Sequence, residues 1–150
     1  MANSFTQAYI HFVFSTKNRK PLIELEFEKQ LWAYIGGIGK QNGTHIIECG
    51  GMPDHAHVLL ELSKAMSIVQ TIQKIKGVSS KWLNDHHFPN RDFAWQVGYG
   101  AFSIGHSGLK QAVRYIHNQK KHHEHKTFKE EYIKLLKKYN VDYDERYLWG

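Results

Sequence analysis

At 150 residues, 41% of them hydrophobic, the chain is long enough for one domain with a buried core and shows no linker or internal repeat. It has no run near the roughly 20 apolar residues that span a bilayer, and its single cysteine, Cys49, excludes an intrachain disulfide and a cysteine-rich zinc site. A net charge of +6 fits a polyanionic partner without requiring one.

The start, Met1-Ala2-Asn3-Ser4-Phe5, carries neither the basic nor the apolar region of a secretory leader, so the expected compartment is the cytoplasm. Ala8 to Ser15 alternates and is rich in aromatic and β-branched residues, which predicts a strand with Ile10, Phe12 and Phe14 on one face and Tyr9, His11 and Val13 on the other. The basic loop Thr16 to Pro21 follows, either a solvated turn or a phosphate contact through Lys17, Arg19 and Lys20. From Glu24 to about Gly36, Phe27, Leu31, Ala33, Tyr34 and Ile35 approximate helical spacing, and the glycines at 36, 37 and 39 are expected to end the helix. Thr44 to Cys49 reads as a short strand with Cys49 buried at its end, and Gly50 to Asp54 as a turn.

The stretch from Pro53 to Leu62 places two histidines one residue apart at the start of an apolar, strand-like run. Strand side chains alternate faces, so His55 and His57 share one face while Ala56, Val58, Leu60 and Leu62 take the other. Two same-face imidazoles can reach one cation, although two ligands do not hold a catalytic metal alone. An exposed pair of this kind is more simply a hydrogen-bonded pair, and the rest of the chain has to supply further ligands for any other reading.

Met66 to Trp82, with Ile68, Val69, Ile72, Ile75, Val78 and Trp82 at helical steps, predicts a second helix, and Phe93 to Tyr99 a fourth strand. The order strand, helix, strand, strand, helix, strand is that of a ferredoxin-like α+β fold (βαββαβ), an antiparallel four-stranded sheet with two helices on one face. His55 and His57 then lie on the opposite face, which the remaining, helical part of the chain must cover. Ser107 to about Lys121 supplies a helix, with Ser107 as expected N-cap and Leu109, Val113 and Ile116 as its apolar stripe. On it, Tyr115 and Gln119 stand four residues apart and share a face. Thr127 to Tyr139 is a last helix with capping-box spacing between Thr127 and Glu130, and Val141 to Gly150 is a mixed polar and aromatic tail. From His106 onward ten Lys or Arg stand against six Asp or Glu, which with 8 Tyr and 4 Trp is what a single-stranded nucleic-acid groove uses. On composition alone, core-filling rings and solvated lysines account for the same counts more simply.

Four blocks, YIHFVFSTKNRKP, PDHAHVLLEL, WQVGYGAFS and YIHNQKKHH followed by TFKEEY, resemble the single-tyrosine HUH transposases over nearly the whole chain. These are small enzymes of certain bacterial insertion sequences and their relatives associated with repetitive extragenic palindromes. An HxH alone is a weak motif; HxH on a third strand followed by YxxxQ on a late helix is far more specific. The resemblance implies that residues 1–150 form one HUH transposase domain that cleaves and rejoins single-stranded DNA through a covalent 5′-phosphotyrosine. Tyr115 would be the nucleophile and His55, His57 and Gln119 the ligands of Mg2+ or Mn2+, with no nucleotide cofactor. It further implies a hairpin-bearing single-stranded DNA substrate, for which Lys17, Arg19, Lys20, Lys110 and Arg114 are candidate phosphate contacts, and a homodimer in which the tyrosine helix of one subunit completes the histidine pair of the other. Ala56, smaller than the usual middle residue of the motif, is a mild departure that bears on packing.

Two other readings use the same residues: a domesticated, non-catalytic protein that binds single-stranded DNA or hairpins, and a metal-dependent phosphodiesterase in which water attacks. His122, His123 and His125 resemble a metal cluster but are more simply a solvated or phosphate-facing helix end. His122, three residues past Gln119, is the alternative third ligand.

Overall fold

A computed structural model describes residues 3–149. The elements run β1 (Tyr9–Ser15), α1 (Glu28–Gln41), β2 (His45–Met52), β3 (His55–Glu61), α2 (Ile68–His86), β4 (Gly100–Ile104), α3 (Leu109–His117), α4 (Gln119–His122) and α5 (Phe128–Lys138). Met1, Ala2 and Gly150, which belong to the start and the tail read above, lie outside the described residues. The strands pair antiparallel in the order β2-β3-β1-β4, the α+β, ferredoxin-like arrangement expected from the sequence. No helix among the described residues is long and apolar enough to cross a membrane.

The alternation within β1 and β3 sorts the two faces of the sheet as expected. Ile10, Phe12, Phe14, Ala56, Val58 and Leu60 form one core with Leu31 and Ile35 of α1 and Ile72, Ile75 and Leu83 of α2. On the other face Val13 and Phe102 meet Phe128, Tyr132, Leu135 and Leu136, so α5 covers the β1–β4 half. The β2–β3 half is covered by α3. A Cβ on Gly50 of β2 would lie 3.3 Å from both the Ile116 side chain and its carbonyl oxygen, so the absence of a side chain there lets α3 settle on the sheet.

Several element bounds differ from the sequence reading. The helix expected to stop near Gly36 continues to Gln41, and its glycines serve packing: a Cβ at Gly39 would come within 2.8 Å of the Thr44 carbonyl and 2.5 Å of Ile46. Gly50 and Gly51, read as turn, are paired with His57 and Ala56, which leaves Pro53 and Asp54 as the connection and puts Cys49 inside β2, half-buried, not at its end. The second helix begins at a Ser67–Gln70 capping box and runs on to His86. Ser107 is not an N-cap; it sits in a 3-10 turn (His106–Gly108), and α3 starts after Gly108.

The largest difference is the fourth strand, which is Gly100–Ile104 and not Phe93 to Tyr99. The backbone of the earlier segment is taken mostly by side chains, with the Gln96 N–H and the Ala94 carbonyl bonded to the backbone of Ser15 and Lys17. Asn84 bonds both the N–H and the carbonyl of Phe93, Gln96 accepts from the Ser15 N–H, and the Lys76 ammonium donates to the carbonyls of Gln96, Val97 and Gly98. Its aromatic residues fill the first core, with Trp95 edge-on to Phe14 and Phe93, and one bridge, Thr16 to Trp95, is all that remains of strand pairing. The last two helices also depart from one continuous element: the chain leaves helical geometry at Asn118 (φ −95°, ψ 20°), separating α3 from α4.

Candidate active site

β3 lies inside the sheet, and its pairing sets Ser15 opposite His55 and Val13 opposite His57. Both histidines are fully buried on the face that α3 and α5 cover, and Phe128 stacks on the His55 ring at 4.5 Å. Asp54 orients His55, with its Oδ1 2.7 Å from Nδ1, which leaves Nε2 facing the site. His57 is held in the same way by His11 of β1, whose Nε2 shares a hydrogen bond with His57 Nδ1 at 2.8 Å.

The helices bring the other groups. Gln119 places Oε1 3.0 Å from His55 Nε2, and Tyr115 lies over His57 with ring centroids 5.7 Å apart. At the centre is Glu131 of α5, 1% exposed. Its Oε1 is 3.2 Å from His55 Nε2, 3.1 Å from His57 Nε2 and 3.1 Å from His123 Nε2. Its Oε2 accepts from the Tyr115 hydroxyl and, at 3.0 Å, from the Gln119 amide. His122 Nε2, 3.5 Å from the same oxygen, is buried and makes no hydrogen bond among the described residues.

Burial by itself would lower His55, but the hydrogen bonds it donates to Asp54 and Glu131 outweigh it and raise its pKa to about 9. Burial lowers His57, and it takes His11 to about 3 with the adjacent His57 adding to the effect. Burial opposes ionisation of Glu131 as well, yet the surrounding His57, His123 and His55 hold its carboxyl far below the usual carboxylate range. The ionised pair is therefore Glu131 with His55, and His11 and His57 are neutral. Burial and the Glu131 charge together push the Tyr115 phenol above its ordinary value.

Ligand atoms of His55, His57 and Glu131 lie within 4.8 Å of one another, and His122, His123 and Glu131 form a second such group. The set suits a divalent cation on its chemistry: neutral imidazole, amide oxygen and carboxylate gathered in one place, with a buried imidazole nitrogen that has no hydrogen-bond partner. A groove of about 370 Å3, lined by His11, Ser103, Gln111, Tyr115, Lys138 and Tyr139, opens beside the tyrosine.

A family model described as "Transposase IS200 like" matches residues 4–119. The chain belongs to the IS200-like transposase family. It is 24% identical over 118 residues to the ISDra2 transposase TnpA of Deinococcus radiodurans, covering 75% of this chain and 84% of that one. To the transposase for insertion sequence element IS200 of Salmonella typhimurium it is 27% identical over 106 residues, covering 67% and 69%. Among solved structures, that of a Deinococcus radiodurans R1 transposase candidate superposes with a TM-score of 0.64 at 22% identity, covering 79% of this chain and 95% of that one. The REP associates tyrosine transposase bound to a REP hairpin superposes with a TM-score of 0.57 at 15% identity, covering 79% and 70%. The fold is thus that of known transposases, and family membership implies DNA transposition.

All four residues singled out for catalysis and metal binding, His55, His57, Tyr115 and Gln119, meet in one place within a single chain. Of the two candidates for third ligand, Gln119 reaches a site histidine directly, whereas His122 reaches only the far oxygen of Glu131. The basic residues are not gathered in the same way. Lys17 and Arg19 form a 3-10 turn whose start is tied to Asp54 by the Thr16 N–H (2.9 Å), next to His55, and Lys20 follows it. Arg19 packs over the Trp149 ring, 5.2 Å from its centroid. Lys110 and Arg114 are exposed one helical turn apart on α3, and no hydrogen bond or ion pair among the described residues joins them to the first group.

Asp54, His11 and Glu131 were missed as site residues, and the last two had a signal in the sequence. His11 follows from the alternation of β1, which put it on the side away from Phe12, and the antiparallel pairing then sets it beside His57. Glu131 had a sharper signal: Phe128, Glu131, Tyr132, Leu135 and Leu136 are the buried residues of α5, so a carboxylate stands in an otherwise apolar helical stripe.

Proposed function

We propose that the chain cleaves and rejoins single-stranded DNA, as one domain, through a covalent bond between Tyr115 and a DNA 5′-phosphate. The reading rests on one observation: the Tyr115 hydroxyl and the Gln119 side chain converge, from α3 and α4, on the carboxylate that also faces His55 and His57. His55, His57 and Gln119 would hold Mg2+ or Mn2+, a cation that polarises the scissile phosphate and offsets the charge built up on it. His11 and Asp54 fix the two rings so that each Nε2 points into the site. A phenol with a pKa of about 10 needs a proton acceptor to react at neutral pH. Solvent in the groove beside Tyr115 takes that proton while Glu131 Oε2 orients Oη; Oη bonds to phosphorus as the bond from phosphorus to the 3′-oxygen breaks, and the 3′-oxygen takes up a proton from solvent to give a 3′-hydroxyl. One phosphodiester has replaced another, so the reverse step rejoins strands without ATP.

The groove beside Tyr115 gives the strand a way in. Lys17, Arg19, Lys20, Lys110 and Arg114 would meet its phosphates. The REP hairpin held by the solved REP associates tyrosine transposase supports a hairpin-bearing substrate here. We infer a homodimer from the family resemblance. Since Tyr115 and Gln119 already meet the histidines of their own chain, subunits need not exchange helices to complete the site.

The test is incubation of the purified protein with a library of labelled single-stranded hairpins and Mg2+ or Mn2+, followed by a denaturing gel. A metal-dependent protein-DNA adduct, lost in Tyr115→Phe and His57→Ala, is the expected result. Cleavage persisting in Tyr115→Phe would mean that water attacks. Specific binding without cleavage across the library would mean a domesticated binding protein.

A further inference from the structure

Taking as given the reading that His55, His57 and Gln119 hold a divalent cation, we propose that Glu131 is its fourth protein ligand, which makes α5 part of the metal site. This helix lies beyond the residues 4–119 that the family model matches, so the carboxylate is a contribution of the chain's own C-terminal segment.

Glu131 is buried and makes no ion pair with a lysine or arginine among the described residues; its ion-pair partners are all histidines. A carboxylate in that setting is unfavourable unless a cation or a full set of donors compensates it. Donors are short. His55 has its Nδ1 turned to Asp54, and His123 has its Nδ1 2.6 Å from the Lys126 carbonyl. With Nδ1 engaged in each ring, Nε2 is the atom that faces Glu131 Oε1, 3.2 and 3.1 Å away, and the proton that His55 carries there without a metal is the one a cation would displace. A divalent cation taking the place of that proton would meet imidazole nitrogens and a carboxylate oxygen already aimed at one point.

The spacing agrees. Gln119 Oε1 to His55 Nε2 is 3.0 Å, and Glu131 Oε1 to the Nε2 atoms of His55 and His57 is 3.2 and 3.1 Å. Neighbouring ligands on an octahedron with bonds of about 2.1 Å stand about 3.0 Å apart, the size Mg2+ demands. The position is also held firmly: Phe128 and Tyr132 flank Glu131, Phe128 stacks on His55, and Leu135 and Leu136 anchor the next turn in the second core. A carboxylate hardens a donor set of two imidazoles and an amide, which favours Mg2+ and Mn2+ over softer ions.

The experiment is Mn2+ binding to the full chain without DNA, read from the electron paramagnetic resonance of free Mn2+, for the wild type, Glu131→Gln, Glu131→Asp and His57→Ala. Glu131→Gln should bind at least about 10-fold more weakly, the lower end of what even outer-shell partners cost. Glu131→Asp, which keeps the charge but falls one methylene short, should weaken as well. Wild-type affinity in Glu131→Gln, with binding lost in His57→Ala, overturns the proposal and leaves the metal reading intact, as does wild-type affinity in Glu131→Asp, which would mean that Glu131 acts through charge alone. A wild type that binds no Mn2+ removes the metal reading itself. If both Glu131 variants misfold by circular dichroism in EDTA, hydrogen exchange of the wild type decides: Mn2+ should slow exchange in α5 as much as in β3, and unchanged α5 amides refute ligation.

Discussion

If α5 is docked by the second core and carries Glu131 into the site, loosening that core should damage the metal site before it unfolds the protein. Leu136→Ala removes a side chain that is 5% exposed among Val13, Phe102, Phe128, Tyr132 and Leu135. Leucine-to-alanine changes in cores cost about 2–5 kcal/mol depending on how far the site can collapse. This cluster is small and rimmed by partly buried Tyr139, Tyr143, Leu148 and Trp149, which can close part of the cavity, so the lower half of that range, about 2–3 kcal/mol, applies. For a chain of this size each kcal/mol moves the melting temperature by about 2–4 °C, giving a fall of about 4–12 °C. The comparison is Ile35→Ala, fully buried in the first core, where more neighbours resist collapse and the loss should be larger. Thermal unfolding and Mn2+ affinity at 25 °C, below both transitions, are the assays. Leu136→Ala should weaken metal binding more than Ile35→Ala although it destabilises less, because α5 can open locally while the rest of the fold persists. A melting temperature unchanged in Leu136→Ala, or an equal loss of affinity in the two variants, would refute the coupling of the second core to the site.

Three other outcomes are expected. His11→Phe removes the partner of His57 Nδ1 from a buried position and should lower Mn2+ affinity about 10–100-fold with the fold retained by circular dichroism; wild-type affinity would mean His11 only fills space. Mixing Tyr115→Phe with His57→Ala should restore no adduct, because both mutated residues belong to the same site of one chain; recovery of adduct in the mixture would show that subunits exchange α3. In EDTA, thermal stability should peak near pH 6.5. The raised His55 stabilises fully below 6.5 and loses this as pH rises toward 9, whereas the lowered His11 and His57 favour the fold above 6.5 and lose this as pH falls, His11 toward 3. A melting temperature flat from pH 6.5 to 9 would contradict the His55 part, and one flat below 6.5 the His11 and His57 part.

What the sequence made legible is what a single period expresses. β1 and β3 alternate cleanly because each has one face in the first core, so the faces of His55 and His57 could be read without coordinates. Tyr115 and Gln119 could be paired because four residues return a helix to the same side, and the pairing survives the break at Asn118, with Gln119 Nε2 still 3.4 Å from the Tyr115 carbonyl. Phe93 to Tyr99 has the composition of a strand, but its backbone groups are taken by Asn84 and Lys76, and whether side chains reach a backbone depends on tertiary distances. The glycines of α1 and β2 were read as breakers, whereas at Gly39 and Gly50 they permit close approach by another element, a role set by the partner and not by the local sequence.

Glu131 belongs to a different class of omission, and it explains how the site is assembled. In α4 and its C-cap, Gln119, His122 and His123 stand at i, i+3 and i+4 and so present one polar face, which would be an ordinary solvated face on an isolated helix. Glu131 on α5 would be an isolated charge in an apolar stripe, and His55 and His57 on β3 would be polar groups buried under a helix. Each of the three elements therefore carries a polar set that is unfavourable when buried alone, and each finds partners in the other two. The consequence is cooperative: docking α5 without α4, or α4 without α5, leaves histidines and a carboxylate buried without compensation. A site distributed in this way is formed only when the whole face is closed, which holds Tyr115 in place beside the two histidines.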